Sequence, residues 1–111
     1  MYTYKATVIR WIDGDTVLLD IDLGFNITRQ ERIRLARINA PELRSEIPFQ
    51  VRKAKHVRAV VKKLCPPDSL VFVTTSKNKK DMYARYIAEV HFNNINISDY
   101  LLEQDCVKKM Y

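Results

Sequence analysis

The chain has 111 residues, enough for one compact body and too few for two, so a single domain spanning residues 1–111 is expected. Nineteen Lys and Arg against thirteen Asp and Glu leave a net charge of +6, and 47% hydrophobic residues argue against disorder. The cationic surplus favours a polyanionic partner, nucleic acid or an acidic membrane surface, and composition alone does not choose between them. No apolar run approaches the roughly 20 residues that span a bilayer. The start, Met1-Tyr2-Thr3-Tyr4-Lys5, lacks the apolar core of a secretory signal, so a cytoplasmic location is expected. Cys65 and Cys106 have no metal-type spacing and are too few for a disulfide framework, which makes two reduced thiols the default.

In chain order, Tyr2 to Ile9 is β-prone, Asp13-Gly14 signals a turn, and Thr16 to Leu23 alternates with Val17, Leu19, Ile21 and Leu23 on one face. Ile27 to Ile38 reads as a third strand, with Ile33 and Leu35 on one side and Arg32 and Arg34 on the other, ended by Ala40-Pro41. From Phe49 to Leu64 the period changes: Ala54, Val57, Val61 and Leu64 mark the apolar face of an amphipathic helix that stops at Pro66-Pro67. Ser69 to Thr75 and Met82 to Phe92 read as two further strands joined by a turn-like Ser76-Lys77-Asn78-Lys79-Lys80. A last short helix is expected with Ser98 as N-cap and Asp99 in its first turn, where the helix dipole favours a carboxylate.

Five short strands with mostly hairpin connections and two helices suggest a mainly β, α+β architecture. The pattern suggests a small, partly closed barrel with helices on one side, with an open antiparallel sheet and two helices as the alternative it does not exclude.

Four polar features fall at element ends or off the apolar parity: Asp15 after the hairpin turn, Arg34, the Asn39-Ala40-Pro41-Glu42 corner, and Arg85. Carboxylates near a turn suit a divalent cation through oxygen ligands, and arginines offer forked donors to phosphate. Taken singly, each has a plainer reading. Asp13 and Asp15 could be turn formers, and Arg34 and Arg85 exposed strand charges paired with Glu31 or Glu89.

As an ordered set, Ile12-Asp13-Gly14-Asp15-Thr16-Val17, Ile33-Arg34-Leu35, Ile38-Asn39-Ala40-Pro41-Glu42 and Asp81-Met82-Tyr83-Ala84-Arg85 resemble the staphylococcal nuclease family from about Thr3 to Tyr111. The resemblance implies an OB-fold five-stranded barrel with two packed helices. It also implies a calcium-dependent endonuclease acting on DNA and RNA, leaving 5′-hydroxyl and 3′-phosphate ends. Carried over residue by residue, Asp15 matches a calcium-ligating aspartate, Asn39 a second ligand position, and Ala40 a backbone carbonyl ligand. Glu42 matches the glutamate that orients or deprotonates the attacking water, and Arg34 and Arg85 the arginines on the scissile phosphate. Tyr83 corresponds to a tyrosine on a nucleotide phosphate, Tyr111 falls near one placed against a base, and Lys79 and Lys80 stand just before Arg85 as substrate-binding cations.

This chain departs from the family pattern at Asn39, where well-known members carry aspartate, so weaker calcium affinity or a different cation is expected. Ala40, Ala84 and Met82 replace a threonine, a glycine and a lysine of that pattern. The chain ends one helix short of the family's usual domain, which leaves a monomer or a homodimer open. Asp105 occupies a helix-end position that favours glycine.

The segment Arg44 to Lys63 holds seven cationic side chains against Glu46, either a solvated helix face or a surface that tracks a phosphate backbone. His56 reads as a surface residue and Trp11 as a packing residue. The reading from another class is a non-catalytic OB-fold module that binds single-stranded nucleic acid through basic groups and aromatics such as Tyr83, Tyr86 and Tyr111. Glu42 favours the enzyme, since a pure binder has no use for a water-orienting carboxylate beside phosphates. An interaction scaffold with no nucleic-acid role is a third possibility, which the charge of +6 disfavours.

Overall fold

The computed structural model of the chain describes residues 2–80 and 85–109, with side chains described throughout except at 76–80. Three antiparallel strands begin it: β1 (Tyr2–Asp13), β2 (Thr16–Asp22) and β3 (Thr28–Leu35). The expected alternation holds on β2, where Val17, Leu19 and Ile21 are buried, and stops at Leu23, which is exposed beyond the strand end. The β2–β3 connection carries three consecutive left-handed residues, Gly24, Phe25 and Asn26, with Asp22 Oδ1 accepting from the Gly24 amide at 2.8 Å.

A short β4 (Ile38–Asn39) follows, then α1 (Pro48–Leu64), β5 (Leu70–Lys80), β6 (Tyr86–Phe92), β7 (Ile95–Asn96), α2 (Ile97–Glu103) and β8 (Lys108–Lys109). The sheet order is β3-β2-β1-β5-β6-β7, and a parallel pairing of β3 with β6 closes the first five strands into a barrel. Closure removes the barrel's edges and decides between the two architectures that the sequence allows, in favour of the five-stranded OB-like barrel with two helices.

The helix α1 packs on β1 through buried Ala54, Val57 and Val61, as their spacing predicts, and its polar face is basic and exposed. Pro48 at its first turn supplies the start, because no side chain caps Ile47. Trp11 is buried and donates from Nε1 to the Cys65 carbonyl at 2.8 Å, tying β1 to the end of α1. Both cysteines are free and buried, and burial pushes the Cys65 thiol up to about 11. No described helix is long and apolar enough to cross a membrane.

Two expectations are corrected. Ser76 to Lys80 continues β5 as strand, with Lys80 paired to Tyr86, because pairing with β6 overrides the low strand propensity of Ser, Asn and Lys. Of the strand expected from Met82 to Phe92, Tyr86–Phe92 forms β6, and Met82 to Ala84 lie outside the described residues. The N-cap of α2 is Asn96, whose Oδ1 accepts from the Asp99 amide at 3.1 Å; Ser98 lies inside the helix, fully buried. Asp99 does occupy the first turn, and Asp105 does take a left-handed φ of 56°.

Candidate functional site

The tight turn between β1 and β2 places Asp15 beside the end of β3. Gly14 permits this through space and not through φ: a Cβ there would lie 2.3 Å from Val57 Cγ1 on α1. Asp15 is buried, and its backbone carbonyl accepts from the Leu35 amide at 2.8 Å. Its Oδ2 accepts from the Ala40 amide at 3.0 Å, so the carboxylate also fixes the corner that follows β4. Asp13 holds the same corner further on, with Oδ1 accepting from the Leu43 amide at 3.3 Å.

Arg34 sits where three strands meet, opposite Thr16 on β2 and Ile87 on β6. It is 6% exposed, so it is not the exposed strand charge of the plainer reading. Its Nη2 lies 3.5 Å from Asp15 Oδ2 and donates to Asn39 Oδ1 at 3.2 Å, and Nη1 donates to the Leu35 carbonyl at 3.2 Å. From just before β6, Arg85 donates through Nη1 to Thr16 Oγ1 at 2.8 Å, and Thr16 donates in turn to Asp15 Oδ1 at 3.1 Å. One polar series, hydrogen-bonded except for the Asp15–Arg34 ion pair, therefore runs Arg85, Thr16, Asp15, Arg34, Asn39. Thr16 is the link that reading residue roles one at a time overlooked, although it belongs to the same Asp-Gly-Asp-Thr run.

Glu42 is exposed on the corner anchored by Asp15 and Asp13. With Asn39, Ala40 and Pro41 it lines a groove of about 590 Å³, completed by Gln50 and Lys53 of α1 and by the segment Asp105 to Lys108. The β4–β8 pairing, Asn39 with Lys108, brings that C-terminal segment to the corner. Tyr83 and Tyr111 lie outside the described residues, as do the side chains of Lys79 and Lys80.

Of the oxygen donors expected for a cation, Asp15 Oδ2 and Asn39 Oδ1 both face Arg34 Nη2, and Ala40 joins them through its amide, which donates to Asp15 Oδ2. All are hard oxygen ligands, which fits calcium. Among the described residues no group of three or more His, Cys, Asp or Glu could hold a metal, so a cation here would rest on one carboxylate helped by neutral oxygens and water.

The partners named by the plainer reading are engaged elsewhere. Glu31 pairs with Arg29 at 2.8 Å. Glu89 accepts two hydrogen bonds from Arg37, at 2.5 and 3.0 Å, and Arg37 also meets Asp99 at 2.8 Å. Burial alone would raise the Glu89 carboxyl, but the Arg37 and Asn96 hydrogen bonds outweigh it and hold the group below its usual range. Nothing local in the sequence announces this cluster, because Arg37 and Glu89 are 52 residues apart.

Among known protein families, the model described as staphylococcal nuclease homologue matches residues 32–108. No curated protein matches the chain. The matched stretch includes Arg34, Asn39, Ala40, Glu42 and Arg85, and Asp15 joins them from outside it through the geometry above. With well over half of its length matched and its barrel closed in the OB-like manner, the chain belongs to the staphylococcal nuclease homologue family.

Proposed function

We propose that the protein is a metal-dependent endonuclease that hydrolyses phosphodiester bonds of DNA or RNA with low sequence preference. The carrying observation is the series from Arg85 through hydrogen-bonded Thr16 and Asp15 to the Asp15–Arg34 ion pair, set beside an exposed glutamate at one groove wall. A phosphodiester anion repels an incoming hydroxide, so positive charge must offset it before water attacks. Arg34 and Arg85 are the groups for that role, since the guanidinium fork matches phosphate oxygens in a way an ammonium does not. Asp15 and Thr16 orient the two forks, and burial of Arg34 and Asp15 strengthens the field between them.

Glu42 accepts the proton of the attacking water, and its exposure on the groove wall gives water access to it. Asp15, Asn39 and the Ala40 carbonyl would hold calcium, which when bound supplies Lewis-acid stabilisation of the phosphate charge. The amide of Asn39 adds an oxygen without a charge, which predicts weak calcium affinity.

The test is incubation of the purified protein with single-stranded DNA and RNA, in calcium and in EDTA, beside Glu42→Ala. Cleavage that needs calcium and is lost in the variant supports the enzyme. Binding without cleavage would instead support a single-stranded nucleic-acid-binding module, the reading favoured by the lone carboxylate among the cation donors.

A further inference from the structure

We propose that the groove between the Pro41-Glu42 corner, the first turns of α1 and the C-terminal segment is the track for the nucleic-acid strand beyond the cleaved bond. In this track Lys53 and Lys108 hold backbone phosphates and Phe49 gives a base a surface to stack on. The inference rests on the proposed function in taking nucleic acid as the partner, and it concerns residues outside the catalytic set.

The groove leads directly away from that set, because Asn39, Ala40 and Glu42 form one of its walls. At about 590 Å³ it has room for a nucleotide or so of an extended strand and not for a duplex. Lys53 and Lys108 line it from opposite elements, α1 and β8, and both are exposed. Among the described residues neither is in an ion pair. Among the described residues the carboxylates along the lining are Glu42 and Asp105, which balance the two lysines. The first turn of α1 carries no acidic residue.

Phe49 stands four residues before Lys53 on α1, so the two share one stripe of the helix, and Gln50 of the same turn lines the groove. Phe49 is 62% exposed, so its ring is open to a stacking partner. Basic side chains that can pair with successive phosphates, with an aromatic side chain beside them, are the recurring physical solution for holding single strands without regard to sequence.

The test is fluorescence anisotropy of labelled 12-mers, oligo(dT) and oligo(rU), with the full chain in EDTA, so that binding is read without cleavage. Lys53→Gln with Lys108→Gln should weaken binding about tenfold at low salt and flatten the slope of log affinity against log salt by about 1.4, two single-strand phosphate contacts. The same charge removed at exposed Lys5 and Arg10, outside the groove lining, should change affinity less than twofold. Phe49→Ala should weaken binding about fivefold or more with an unchanged salt slope, and Phe49→Trp should restore it. Equal losses from the two charge pairs, or wild-type affinity in all groove variants, would overturn the track. If the wild type cleaves nothing in calcium while the groove variants still lose binding, the proposed function fails and the track stands. Loss for only one of the two oligomers tells DNA from RNA as the strand held.

Discussion

Two arginines three positions apart, Arg34 and Arg37, are built into opposite situations. The Arg37 side chain is 41% exposed and grips two carboxylates at short range, Glu89 at 2.5 Å and Asp99 at 2.8 Å. That of Arg34 is 8% exposed, and its described contacts are longer: 3.5 Å to Asp15 and 3.2 Å to Asn39 and the Leu35 carbonyl. Exposed pairs contribute about 0.2–1 kcal/mol each, so the tight cluster is a modest clasp between the β3–β4 turn, β6 and α2. A buried charge is costly to retain for stability alone. What the difference teaches is that the exposed arginine is neutralised by two carboxylates of its own, whereas the buried one sits among the oxygens of Asp15, Asn39 and Leu35 where three strands meet, the place the proposed function gives to a phosphate.

The comparison breaks most visibly if Arg34 is removed. Arg34→Ala is expected to lower single-turnover cleavage of a single-stranded oligonucleotide by on the order of 10³ or more. It should also cost about 3–5 kcal/mol of stability in urea unfolding, because Asp15 is left buried without its partner. Near-wild-type cleavage would refute its assigned role.

Next in size is the packing that brings Asp15 to Arg34. Gly14→Ala forces a Cβ to 2.3 Å from Val57 Cγ1, and a β-branched helix residue has little rotamer freedom to yield. A loss of about 1–3 kcal/mol is expected by chemical denaturation, partly recovered by adding Val57→Ala. A loss that the second substitution leaves untouched would mean that Gly14 is needed for its turn and not for space.

These residues also show what the sequence discloses and what it withholds. The helix face of Ala54, Val57 and Val61 and the β2 face of Val17, Leu19 and Ile21 were legible because burial follows a local period. The order of Asp15, Arg34, Glu42 and Arg85 was legible as a motif series, and the structure links three of the four through an ion pair and the Thr16 hydrogen bonds. Strand parity could not reveal that Arg34 is buried, since what covers it arrives from the β1–β2 turn and the corner after β4. Gly14 looked like a turn former because its real constraint, Val57, lies far along the chain. The Lys-rich end of β5 looked like a turn because its strand character comes from pairing with β6. Asn96 was missed as the cap of α2 because Ser98, two residues on, offered an equally good local signal.

A smaller effect sharpens the chemistry around Arg34. Asn39→Asp adds a carboxylate beside Asp15 and should tighten calcium binding by about tenfold or more in isothermal titration calorimetry. Unchanged affinity would remove Asn39 from the cation site.

The smallest effect belongs to the Arg37 cluster. Arg37→Ala should cost about 1 kcal/mol or less, given its exposure. The pH dependence has a definite sign: Glu89 titrates lower when folded than its ordinary 4.5, so its contribution is complete above that value and is lost as the pH falls below it. Glu89→Gln should therefore flatten the acid limb of Tm against pH below about 4.5 and leave the neutral region parallel to wild type. An unchanged acid limb would show that the clasp does not contribute to folding.

The most direct test of the central claim replaces each arginine by lysine, keeping the charge and losing the fork. Single-turnover cleavage of one oligonucleotide in saturating calcium would be compared for Arg34→Lys and Arg37→Lys, at a temperature where circular dichroism shows both folded. The account predicts a loss on the order of 10² or more for Arg34→Lys and a rate within about twofold of wild type for Arg37→Lys. Equal rates for the two variants would contradict it.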